Sequence, residues 1–158
     1  MNKIPEPSVE NGFHAPIAEL MLVNYEKLTG RLLLPNVNNL NLSRQLYEAS
    51  FVVLAHNNAP DPIFIYGNLK AQNIFNMTWG ELTSLPSRLS AEPSNQNDRK
   101  SLLEQVNTKG YIENYSGIRI SKTGQRFLIE NATVWNLTDQ QNQNIGQAAI
   151  FLDPILLI

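Results

Sequence analysis

The sequence predicts one α+β domain: a five-stranded antiparallel sheet with short helices on one face and an N-terminal flanking helix. Three observations lead there. The opening third reads as helix and the last third as strand. The stretch FIYGNLKAQNIF, Phe64 to Phe75, turns abruptly from a strand-like run into a helical pattern at a Gly-Asn corner. Finally, 158 residues with 42% hydrophobic content suit a single core, and no internal repeat or second domain is visible.

Residues 1–12 carry two prolines, Asn-Gly and few apolar side chains, and are expected to be a flexible tail. Residues 13–50 form an N-terminal helical segment. Pro16 suits a first helical turn, Ile17, Leu20, Met21, Asn24 and Leu28 follow at helical spacing, and Gly30 is a natural stop. Ala18, Leu22 and Tyr25 widen that apolar face, which either lies on its own core or meets a second copy of the chain. Leu34 to Asn41 reads as loop, and Leu42, Leu46 and Ala49 align on a short helix.

Residues 51–153 hold the sheet. Phe51 to Ala55 is a continuous apolar strand, His56 to Pro62 a turn cluster, and Ile63 to Tyr66 a second strand, which together predict a hairpin. Gly67 allows a sharp bend, and Asn68 caps the helix that follows by accepting from a first-turn amide. Thr78-Trp79-Gly80-Glu81 has the spacing of a capping box, and Pro86 ends the second short helix. Ser87 to Asn97 reads as irregular. Leu102, Leu103 and Val106 mark a helix over Gln96 to Lys109, stopped by Gly110. Three strands complete the chain: Tyr111 to Ser121, Arg126 to Leu137 and Ile145 to Leu152. Strict alternation along the middle one puts Phe127, Ile129, Asn131, Thr133, Trp135 and Leu137 on one face.

Composition narrows the function classes. Charged residues are 16% of the chain, the net charge is -2, and the 12 Lys and Arg are dispersed, so no phosphate-tracking surface and no nucleic-acid partner are expected. The chain has no cysteine, which excludes disulfides, thiolate metal sites and cysteine nucleophiles. With only His14 and His56, no multi-histidine metal site is expected. No run approaches the roughly 20 apolar residues of a membrane span, and the first residues lack a signal-peptide core. The expected location is the cytoplasm. No G-x-S-x-G elbow, H-E-x-x-H pair or phosphate loop occurs, so no catalytic residue is assigned and enzymatic activity stays open.

The element order, with Tyr66-Gly67-Asn68, Trp79-Gly80-Glu81-Leu82 and Lys122-Thr123-Gly124-Gln125-Arg126-Phe127, resembles the PAS fold. Phe51 to His56, Leu85-Pro86-Ser87-Arg88-Leu89-Ser90-Ala91-Glu92-Pro93, Tyr115-Ser116-Gly117-Ile118-Arg119 and Ala132 to Leu137 are similar to the MEKHLA domain, a PAS-related family found alone in bacteria and at the end of plant homeodomain–leucine zipper regulators. This chain has no homeodomain or zipper, so transcription-factor activity does not carry over. The resemblance implies a PAS-like fold and a sensing or regulated-interaction role. It implies a small-molecule ligand, a protein partner that carries the output and a homodimer as the associations to look for. It names no cofactor, and without cysteine the covalent flavin chemistry of one PAS branch is excluded.

The residues placed on the expected ligand site are His56, Arg88, Tyr115, Arg119, Glu130, Asn131, Trp135 and Gln147. Arg88 requires a carboxylate or carbonyl partner, and Glu130 is expected to supply it, either as an internal salt bridge or as a ligand anchor. His56 is a candidate proton carrier, though a hydrogen-bonded structural role is the commoner one. Asn131 and Gln147, amides among apolar strand residues, need partners. Two rival readings remain: a small enzyme in which His56, Arg88 and Glu130 converge, and a scaffold whose core is filled.

Overall fold

The computed structural model describes residues 4–35, 41–91 and 96–158. Pro16 lies in the first turn of α1 (Ala15–Thr29), and Gly30 ends it in the left-handed conformation. After α2 (Leu42–Tyr47) the chain makes the expected hairpin of β1 (Val52–Asn57) and β2 (Phe64–Gly67). Three short helical pieces follow: α3 (Leu69–Phe75), α4 (Trp79–Leu82) and a 3-10 turn over Ser87–Ser90. The helix α5 (Gln96–Lys109) then leads into β3 (Tyr111–Ile120), β4 (Arg126–Thr138) and β5 (Asn144–Phe151). A short β6 (Ile155–Leu156), absent from the sequence reading, pairs with Phe127 and Leu128 of β4. Part of the expected Leu34 to Asn41 loop and of the Ser87 to Asn97 segment lies outside the described residues.

All pairings are antiparallel, in the order β2-β1-β5-β4-β3. The long α1 covers the outer face, where Met21 and Tyr25 pack with Trp135, Leu137, Val53 and Ala55. On the inner face α3 and α5 cover Leu54, Phe127, Ile129, Val134 and Phe151. Asn24 on α1 fastens the outer layer. Its Nδ2 donates to the Thr138 carbonyl at 3.0 Å, and its Oδ1 accepts from the Thr138 hydroxyl at 2.8 Å.

The corner at Asn68 is more than a cap. The side chain is wholly buried and uses both ends. Its Oδ1 accepts from Ala71 N at 3.0 Å and Val53 N at 3.2 Å, while Nδ2 donates to the carbonyls of Phe51 at 2.8 Å and Leu46 at 3.2 Å. One amide thus ties α3, β1 and α2 together. Gly67 beside it has no room for a Cβ, which would meet a Leu82 methyl. The Thr78–Glu81 capping box forms as expected.

Two expectations are corrected. The first residues are not a free tail over 4–12: Pro7 is buried, Ile4 packs on the outer core and its carbonyl accepts from the Trp79 indole at 2.9 Å. Nor does β4 alternate throughout. Between the pairs Gly117↔Ile129 and Tyr115↔Ala132 it carries one extra residue, and between Tyr115↔Ala132 and Ile112↔Val134 β3 carries the compensating one. Asn131 and Asn114, in the left-handed region with φ of 55° and 57°, lie in these two irregular stretches. Each slip of one residue exchanges the faces. Phe127 and Ile129 therefore face inward with Ala132 and Val134, and Trp135 and Leu137 face outward.

Candidate functional site

The helical elements over the inner face do not fill it. A cavity of about 80 Å³ remains between the sheet, α3, the 3-10 turn and α5. A water occupies roughly 30 Å³ of liquid, so this space exceeds what a filled-core scaffold would leave. Its walls are mostly apolar, from Leu54, Phe64, Phe75, Leu102, Ile129 and Phe151. A few polar side chains interrupt them, the usual make-up of a small-molecule site.

Four of the expected site residues line this cavity: His56, Tyr115, Arg119 and Gln147. Tyr115 and Arg119 point the same way along β3, two positions either side of Gly117. A Cβ at Gly117 would run into the Tyr115 hydroxyl and lie 3.2 Å from Arg119 Nη1, so the glycine makes room for both. Arg119 Nη2 donates to the Tyr115 hydroxyl at 3.1 Å, and Nη1 donates to the Ile118 carbonyl at 2.9 Å. At the α5 end, His56, Gln147 and Asn136 form one rung across β1, β5 and β4. Gln147 Nε2 faces three acceptors: the Leu103 carbonyl at 3.2 Å, and Asn107 Oδ1 and Asn136 Oδ1 at 3.1 Å. Its Oε1 is buried without a partner. His56 Nδ1 lies 2.7 Å from the Asn57 carbonyl. A carbonyl only accepts, so Nδ1 carries the hydrogen.

The other four lie elsewhere. Arg88 is half-exposed and pairs with Asp61, with Nε 3.1 Å from Oδ1, rather than with Glu130. Glu130 is exposed, as is Asn131, whose left-handed backbone conformation belongs to the irregular stretch of β4. Trp135 is fully buried on the outer face, donating to the Met21 carbonyl at 3.2 Å. Of His56, Arg88 and Glu130, only His56 lines the cavity, so the proposed enzymatic trio is not assembled there.

Two polar lining residues are not among those expected from the sequence. Ser87 and Ser90 are buried against the cavity, while Arg88 and Leu89 between them face outward. Their i, i+3 spacing after Pro86 was the available signal, because a 3-10 turn brings such positions onto one side. Among the described residues no cluster of His, Asp or Glu could hold a metal ion.

The MEKHLA domain model matches residues 15–153. The chain belongs to the MEKHLA domain family. Its PAS-like fold is shared with solved structures of low sequence identity. The PAS domain of a protein from Colwellia psychrerythraea aligns with a TM-score of 0.61 at 13% identity, over 70% of this chain and 92% of that one. A light-oxygen-voltage domain studied with a flavin analogue aligns at 0.59 and 13% identity, over 74% and 86%. An RNA-binding light-oxygen-voltage receptor aligns at 0.59 and 16% identity, over 76% of the MEKHLA chain and 36% of the receptor. Among curated proteins none matches the chain in sequence. No described helix is long and apolar enough to cross a membrane.

Proposed function

We propose that this MEKHLA domain is a non-catalytic sensory module of the cytoplasm that takes a small molecule into the inner cavity. The observation that carries the reading is the cavity itself: apolar walls with polar side chains set into them, between the sheet and α3, the 3-10 turn and α5. The PAS and light-oxygen-voltage neighbours support a sensory role at the level of fold. The size of the space points to a small ligand. A cavity of about 150 Å³ holds benzene, and this one is about half that size. The output passes to a protein partner or to a second copy of the chain. The exposed side of α1, which carries Val23, is available for such a contact.

Native mass spectrometry of freshly purified protein, set against its denatured mass, tests this. A retained small molecule is the expected result, and the same spectrum counts the subunits. A clean apo protein that also fails to bind small organic probes would overturn the reading.

A further inference from the structure

Arg119 is 9% exposed, lines the cavity and forms no ion pair with a carboxylate among the described residues. Its partners are all neutral: the Ile118 carbonyl and the Tyr115 hydroxyl accept from it, and its Cζ lies 5.7 Å from the centroid of the Tyr115 ring. A guanidinium offers five N–H donors in a planar fork and accepts nothing. Two acceptors leave much of that fork unused. Burial of an unpaired cation is unfavourable and is best sustained where an anion completes the pair. Gly117 shows that the arrangement is built into the strand, since any side chain there would displace the Tyr115 hydroxyl from Arg119.

The rest of the wall sets the kind of anion. A planar carboxylate matches the fork with two parallel hydrogen bonds. A phosphate dianion would leave charge and lone pairs against Leu54, Phe75 and Ile129. The apolar surroundings instead suit a hydrocarbon body, and about 80 Å³ limits its length. We infer that the cavity binds a small apolar monocarboxylate, its carboxylate on Arg119 beside the Tyr115 hydroxyl and its hydrocarbon body against the apolar wall. The inference rests on the binding-module reading and names the ligand class for the same site. Gln147 Oε1, at the α5 end of the space, is a separate acceptor that a water or a ligand N–H or O–H can fill.

Propionate and propionamide, each of roughly five non-hydrogen atoms and of nearly the same shape, separate charge from fit in so small a cavity. Both are titrated into the full chain while the backbone amide signals are followed by NMR. Propionate is expected to shift amides of β3 and α5 and to bind about tenfold or more tightly than propionamide. Arg119→Gln removes that advantage and leaves propionamide binding as it was. Tyr115→Phe, which keeps the cation, weakens propionate severalfold and serves if Arg119→Gln fails to fold. Equal affinities, or propionate affinity unchanged in both variants, would overturn the carboxylate assignment. Binding of propionamide alone, or a neutral molecule in the native mass spectrum, would do the same and leave the binding module standing. No binding by either probe, with a clean apo mass, would remove both readings.

Discussion

On the outer face of the sheet Trp135 is wholly buried, edge-on to Tyr25 with ring centroids 5.0 Å apart, and Met21 and Ala18 of α1 are fully enclosed with it. On the inner face the same strand presents Ala132 and Val134 to an open space of about 80 Å³. The difference comes from what covers each side. A helix of 15 residues lays an unbroken row of side chains over the sheet. The inner face is covered piecemeal by α3, of seven residues, the four-residue 3-10 turn and α5, and a gap remains where they meet. The outer face is closely packed, and the inner face leaves space unfilled.

The sharpest way to break this comparison is to truncate the outer face. Trp135→Ala should destabilise the domain by about 3–5 kcal/mol in urea unfolding. A loss below about 1 kcal/mol would mean the outer layer is not the stabilising one. Asn68→Ala comes next, at about 2–4 kcal/mol, because it removes a helix cap and strands buried groups of β1 and α2. If the loss is only that of a cap, about 1 kcal/mol, the bonds to Leu46, Phe51 and Val53 contribute little. Asn131→Ile should lose about 1–2 kcal/mol, since a β-branched residue resists the left-handed conformation. Asn131→Gly should be neutral or slightly stabilising, and equal effects from both would argue against the left-handed backbone there. Ala132→Val adds two carbons facing the cavity and should change stability by less than about 1 kcal/mol. A loss as large as that of Trp135→Ala would show the inner face to be as tightly filled as the outer.

The smallest effect lies away from both faces. The hydrogen bond from the Lys122 ammonium, followed by that from the Thr78 amide, pulls the Glu81 carboxyl down to about 2. A lowered carboxyl pKa contributes stability that is complete above about 4.5 and disappears as pH falls toward about 2. Both side chains are exposed, so salt should screen much of the effect. Thermal melts of Glu81→Gln against the parent should diverge above pH 4.5 and converge at the acid end. A gap that stays constant across that range would assign the difference to the cap rather than to charge.

Much of the fold was legible because its signals are local. The capping box, Asn68 before α3, Pro16 and Gly30 around α1 each act within a few residues of where they stand. The site was legible in part. Tyr115, Arg119 and Gln147 were placed on strands that do line the cavity. Strict alternation puts Trp135 on the wrong side, because the extra residue near Asn131 breaks it and an irregularity in a strand is visible only against its partner. The sequence suggests Glu130 for Arg88, whereas Asp61 in the β1–β2 connection is the carboxylate that pairs with it.

By itself the sequence determined the order of helices and strands, the corner at Asn68 and the family, since hydrophobic period, capping residues and short motifs are properties of neighbouring residues. Only the tertiary structure decided which face each half of β4 shows, that the Ile4 carbonyl reaches the Trp79 indole, and that Arg119 is buried without a carboxylate among the described residues. Those outcomes depend on register between strands far apart in the chain and on which helix lies over which side chain. A local pattern cannot encode them, because the same residues in another register would face water.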